Sequence, residues 1–247
     1  ASFSSDCEGS IANGETKTCT VTNDDKPGKL IVIKHVINNN GGTAVAADFT
    51  LDSGGTNDSP DDFAGAEAPG TDVTLDAGSY KVTETGPSGY TASFSSDCEG
   101  SIANGETKTC TVTNDDKPGK LIVIKHVIND NGGTATAANF TLDSGGANDS
   151  PDNFAGAEAP GTDVTLDAGS YKVTETGPSG YTASFSSDCE GAIANGETKT
   201  CTVTNDDQAA KLIVIKHVIN NNGGTATAAN FSLDSGGTND TPDNFAG

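Results

Sequence analysis

Apolar and polar positions alternate along this chain in short bursts with a period of two. In the run that begins at Lys29, the residues Leu30, Val32, Lys34 and Val36 fall on one side and Ile31, Ile33, His35 and Ile37 on the other, because successive side chains of an extended strand point to opposite faces. The alternation predicts strands over residues 29–38, 45–52, 71–76, 79–85, 89–97 and 107–114, with a short one near Phe63. Turn chemistry separates them: Asn40-Gly41-Gly42, Ser53-Gly54-Gly55, Asp76-Ala77-Gly78 and Gly86-Pro87-Ser88-Gly89. No stretch of twelve residues carries a helical apolar stripe, so the pattern predicts an all-β sandwich with almost no helix.

The pattern repeats. Lys-Leu-Ile-Val-Ile-Lys-His-Val-Ile-Asn starts at Lys29, Lys120 and Lys211, and the cysteines keep the same step of 91 residues. Residues 29–119 and 120–210 differ at only nine positions, among them Val45 against Thr136 and Asp48 against Asn139. The expected organisation is a tandem array: 1–28 as the end of one repeat, 29–119 and 120–210 as complete repeats, and 211–247 as the beginning of another. Ninety-one residues suit one small β domain. The joint Asn114-Asp115-Asp116-Lys117-Pro118-Gly119 is short and holds a proline, so neighbouring domains should form a semi-rigid rod. The chain reads as a window on a longer continuous array.

Composition narrows the function classes. A net charge of -22 repels nucleic acid and anionic lipid, and no apolar run approaches membrane-spanning length. No nucleophile–histidine–acid set, phosphate-cradling loop or cofactor fingerprint is present, so no enzyme activity and no cofactor are expected. Serial copies serve length and avidity better than catalysis. The six cysteines form local pairs, Cys7 with Cys19, Cys98 with Cys110 and Cys189 with Cys201, each around an Asn-Gly turn. A hairpin centred there brings each pair within disulfide reach, which points to an oxidising, extracellular compartment. Zinc does not fit two cysteines and one histidine per repeat without a short Cys-x-x-Cys spacing.

Parity then raises a chemical question. Lys34 shares its face with Leu30 and Val32, Glu84 with Tyr80 and Val82, and Asn114 with Cys110 and Val112. Each apolar face thus carries one polar residue, and burying any of them alone would cost several kcal/mol. The simplest resolution is that the three meet. A desolvated lysine loses its proton readily and becomes a nucleophile. Glu84 is then placed to move protons and polarise the Asn114 carbonyl, so that attack expels ammonia and leaves an amide between the first and last strands.

These residues resemble those of a known family. Tyr80-Lys81-Val82-Thr83-Glu84-Thr85 with Gly86-Pro87-Ser88-Gly89-Tyr90 is similar to the glutamate box of Cna-B-like domains, also called SpaA-like or prealbumin-like repeats, of surface adhesins and pili. Val32-Ile33-Lys34 resembles their reactive first-strand lysine and Val112-Thr113-Asn114 their terminal asparagine. The resemblance implies a seven-stranded Greek-key, Ig-like sandwich holding an autocatalytic isopeptide bond, with Lys34, Glu84, Asn114 and Lys125, Glu175, Asn205 as the two triads. The hairpin cysteines and a long Asp-rich insertion depart from the family pattern. The leading expectation is an extracellular stalk or filament at the cell surface whose partners are copies of itself.

Three further features remain. Asp58 and Asp61, with Asp149 and Asp152 in the next repeat, are candidates for calcium in a binding array, although no EF-hand spacing appears and a solvated acidic loop is the simpler reading. Glycosylation sequons occur at Asn57, Asn139, Asn148, Asn230 and Asn239. His35, His126 and His217 lie opposite the lysine among isoleucines, a face expected either to pack on a neighbouring strand, domain or subunit or to be buried in the sandwich.

Overall fold

The computed structural model describes residues 1–247. In the first complete repeat the chain forms nine strands: β1 (Gly28–Ile37), β2 (Thr50–Asp52), β3 (Phe63–Ala64), β4 (Thr71–Leu75), β5 (Gly78–Lys81), β6 (Thr83–Thr85), β7 (Tyr90–Phe94), β8 (Glu99–Ile102) and β9 (Thr107–Asp116). The second repeat gives the same nine, from Gly119–Ile128 to Thr198–Asp207. The only helical elements are 3-10 turns of three residues, and no helix is long and apolar enough to cross a membrane.

One sheet has the order β4-β1-β9-β7. Its central pair β1 and β9 runs parallel, with Lys34 opposite Val112 and Val36 opposite Asn114, while β4 and β7 flank it antiparallel. Facing strands form a three-stranded sheet β3-β2-β6 and a two-stranded ladder β5-β8. The core lies between: Leu30, Val32, Val73, Leu75, Cys110 and Val112 from the first sheet meet Leu51, Phe63, Tyr80, Val82 and Ile102. Apart from Phe63 and Ile102 these are inward positions of the period-two pattern, and the removal of all of them from water is the main favourable contribution to folding.

Besides β9 running to Asp116 rather than 114, the strands differ from expectation in three places. Within 45–52, Ala46–Asp48 turns as a 3-10 helix because the Asp48 carboxylate accepts from the Val45 N–H at 2.8 Å, leaving only β2 extended. The expected strand 79–85 divides at Val82 into β5 and β6, which pair with different partners. The segment after Ser95 also behaves differently. Ser96–Cys98 is a 3-10 turn, and β8 pairs with β5 rather than with β9 across the Asn104-Gly105 turn. Cys98 and Cys110 are nevertheless bonded, with Cα atoms 4.5 Å apart, so the bridge ties that turn to β9 instead of crossing an antiparallel ladder. Cys7–Cys19 and Cys189–Cys201 are bonded likewise.

Candidate functional site

β1 delivers Lys34 into the core and β9 delivers Asn114 onto the same face one step along. β6, in the opposite layer, brings Glu84 to meet them. The Lys34 and Lys125 side chains are wholly enclosed, at 0% exposure. Glu84 accepts from the Asn114 amide at 2.7 Å and Glu175 from Asn205 at 2.6 Å. The second oxygen of each glutamate faces the lysine nitrogen, at 3.5 Å for Lys34 and 3.6 Å for Lys125. In the second repeat the Lys125 Nζ donates to the Asn205 side-chain carbonyl at 3.0 Å and to the His126 carbonyl at 2.9 Å. In the first, Lys34 donates to the His35 carbonyl at 3.1 Å, and the Asn114 Oδ1 is buried without a hydrogen-bond partner.

Two neighbours seal the cluster, and neither was singled out from sequence. The Phe49 ring lies 4.2 Å from the Lys34 Nζ and stacks edge-on against Tyr90, and Phe140 and Tyr181 repeat the arrangement. Gly65 packs on the lysine stem so closely that a Cβ there would stand 2.7 Å from the Lys34 Cγ. Burial holds both ammonium groups below their ordinary 10.5, and the adjacent glutamates offset only part of that. A lysine with a weakened hold on its proton, against an amide whose nitrogen is held by a carboxylate, is a geometry suited to amide exchange.

A second polar site continues the parity of β9, two residues beyond the strand end expected at 114. Asp116, 3% exposed, comes two residues after Asn114 and faces inward. Its carboxylate accepts backbone N–H bonds from Asn39 at 2.9 Å, Asn40 at 3.0 Å and Gly42 at 2.6 Å. Burial works to raise its carboxyl, yet these donors outweigh it and hold the group below 3.8. Asp207 is bound in the same way by Asp130, Asn131 and Gly133.

The remaining candidates disperse. Asp61 lies beside Asp52 and Asp62, whereas Asp58 accepts from the Ser53 hydroxyl; in the next repeat Asp149 and Asp152 group with Asp143. Asn57 and Asn148 donate their side-chain amides to Asp76 and Asp167. His35 and His126 are exposed and bond Glu67 at 3.1 Å and Glu158 at 3.0 Å, so the histidines are not buried within their own sandwich. Ile31 and Ile33 beside it are half-buried.

The sequence signature of the prealbumin-like fold domain matches residues 25–115, 116–206 and 207–245. The chain belongs to the prealbumin-like fold domain family. No curated protein matches it. Among solved structures, the prealbumin-like chain is similar to the Bacillus anthracis TIE protein, with 20% identity and a TM-score of 0.46, covering 77% of this chain and 36% of that one. It therefore spans about a third of that relative. The major pilin from Streptococcus pyogenes matches at 15% identity and a TM-score of 0.29, covering 75% of this chain and 99% of the pilin. GBS52, the minor pilin of Streptococcus agalactiae, matches at 13% and 0.29, over 76% and 99%.

Proposed function

We propose that this chain is part of an extracellular stalk or filament at the cell surface, built from tandem prealbumin-like domains bounded near residues 29–119 and 120–210. Each domain closes itself with a Lys–Asn isopeptide bond, Lys34 to Asn114 and Lys125 to Asn205. The observation that carries this reading is the enclosed Lys125 amine, 3.0 Å from the Asn205 carbonyl oxygen, with Glu175 on the amide nitrogen. In the reaction the neutral Nζ attacks the asparagine Cγ, the Nζ–Cγ bond forms and the Cγ–Nδ2 bond breaks. Glutamate carries a proton from the amine to the departing nitrogen, which leaves as ammonia.

The bond would tie the parallel neighbours β1 and β9 at the two ends of a domain, so that a pull on the chain meets a covalent link before the core unravels. The test is the intact mass of the reduced protein: about 17 Da below the plain sequence for each bond, about 34 Da for both. Glu84→Gln with Glu175→Gln should restore the plain mass. A wild-type protein already at the plain mass would refute the bond.

The competing reading is a binding array that holds calcium or a ligand in its acidic loops. It rests on the carboxylate groups around Asp52 and Asp143. Loss of calcium or ligand binding on neutralising Asp58 and Asp61 together would favour it, and indifference to those changes favours the stalk.

A further inference from the structure

The three Asn-Gly turns have one sequence, Ile-Ala-Asn-Gly-Glu-Thr-Lys-Thr-Cys, at Ile11, Ile102 and Ile193. They also share one local conformation. Each alanine N–H donates to the glutamate three residues on at 2.8 Å, and each glycine has a left-handed φ, +80°, +72° and +70°. Their surroundings differ. The Asn195 side chain reaches into the preceding repeat and donates to the Asn40 carbonyl at 3.0 Å, the Lys117 carbonyl at 3.0 Å and the Asp116 carboxylate at 3.2 Å. The Gly196 N–H donates to the Pro118 carbonyl at 3.2 Å, and the Ala168 N–H to the Asn40 carbonyl at 2.8 Å. One repeat earlier Asn104 keeps the bond to the aspartate, Asp25 at 3.0 Å, and the Gly105 N–H donates to the Pro27 carbonyl at 3.3 Å and the Lys26 carbonyl at 3.0 Å. Asn13 makes no such contact, and around Gly14 there is open space.

The partner surface is shaped for the turn. Gly41 and Gly89 of the first repeat have φ of +83° and +87°, and a Cβ on either would stand 2.4 Å from a backbone oxygen of the second repeat, that of Ala168 or Asn195. Gly132 and Gly180, their counterparts, have φ of +91° and +86° with nothing near them. The joint between repeats is therefore a fitted contact made by one asparagine, an aspartate already held in its cage, and two glycines.

We propose that the Asn-Gly turn locks each repeat in a fixed orientation on the one before it, and that spontaneous deamidation of Asn195 is a modification that releases the lock. Asn-Gly is the dipeptide most prone to this reaction, since glycine leaves its amide nitrogen unhindered. The Gly196 nitrogen attacks the Asn195 Cγ; the N–Cγ bond forms, the Cγ–Nδ2 bond breaks and ammonia departs with the amide proton. Water then opens the succinimide to aspartate or isoaspartate. In the closed joint both reacting nitrogens are committed as donors, which disfavours attack. After an opening, the product places a carboxylate beside Asp116 and has lost the amide group that donated to Asn40, Lys117 and Asp116, so repulsion between like charges keeps the joint open. The lock and its release do not depend on the isopeptide bonds.

In the polypeptide of residues 1–247 no repeat contacts Asn13, so in that polypeptide it serves as the control. The full chain is incubated at mildly alkaline pH, and deamidation, a gain of about one mass unit, is followed at each turn by peptide mapping. Asn195 should react at least about tenfold more slowly than Asn13, in the manner of hydrogen exchange gated by opening. Equal rates would overturn the protective joint. Asp116→Ala should bring Asn195 towards the rate of Asn13. If that variant folds poorly, Gly89→Ala wedges the same joint, with Gly180→Ala as the equally strained control that should leave the rate unchanged. For the lock itself, spin labels on the two repeats should report one narrow distance in the wild type and a broadened one in Asn195→Asp. An unchanged distribution in that variant would overturn the orienting role.

Discussion

Lys120–Ile128 and Lys211–Ile219 carry the same nine residues, yet only the first is a strand. Leu121 and Val123 are fully buried, whereas Leu212, Ile213 and Ile215 stand 70%, 73% and 85% exposed. The two copies differ in their strand neighbours. Residues 120–128 are paired on one side by Thr162–Leu166 and on the other by Thr198–Asp207, and within residues 1–247 no strand pairs with 211–219. The last copy keeps only local structure: the turn Ala228–Asn230, the small ladder of Ser232–Leu233 with Phe245–Ala246, and Lys216 over the Phe231 ring at 4.2 Å. The difference teaches that even a β-branched run of high strand propensity becomes a strand only where a partner offsets its ordering entropy.

The largest effect should come from supplying that partner. Appending a second copy of residues 157–207 after Gly247 should slow amide exchange across Leu212–Ile219 by about a thousandfold or more, to the level of Leu121–Ile128. Unchanged exchange would break the comparison.

Matched substitutions in different copies sharpen it further. Lys125→Met leaves Glu175 buried without its cation, so urea unfolding should show a loss of about 3–5 kcal/mol. Lys216→Met should leave the unfolding of both sandwiches unchanged. Serine at both Cys189 and Cys201 should cost about 3 kcal/mol, and serine at both Cys7 and Cys19 should cost the sandwiches nothing measurable.

Acid should separate Asp116 from its exposed counterpart Asp25. The folded Asp116 carboxyl lies below 3.8, so its contribution is complete above that value and is lost as pH falls through the folded one. Asp116→Asn should lower stability at neutral pH by about 1–3 kcal/mol and flatten this acid stretch, and Asp25→Asn should change neither. Smallest is His126→Ala: its half-exposed pair with Glu158 should be worth under about 1 kcal/mol, and His217→Ala nothing.

Much of the site was legible because parity survives small errors in strand bounds. Leu30, Val32 and Lys34 face inward whether β1 begins at 28 or 29, and Glu84 keeps the side of Tyr80 although the chain changes sheets at Val82. Asp116 lies on the same alternation as Asn114, just beyond the strand end expected at 114, so its inward position needed the longer β9 to show. Phe49 and Gly65 carried no such signal, since their place over the lysine depends on loops folding back from elsewhere in the repeat.

The amino-acid sequence alone determined the 91-residue repeat, the all-β class, the cysteine pairs and the inward side of each strand, for these arise from identity, short spacing and the two-residue pleat. Tertiary structure decided which strands pair, why β8 leaves β9 for β5, and how the Asn195 turn seats on Asp116 and Asn40 of the preceding repeat. Those choices join residues from 18 positions apart, in the pairing of Glu99 with Lys81, to 155 apart, in the contact of Asn195 with Asn40. They are settled by which surfaces can be buried together, and no local pattern records that.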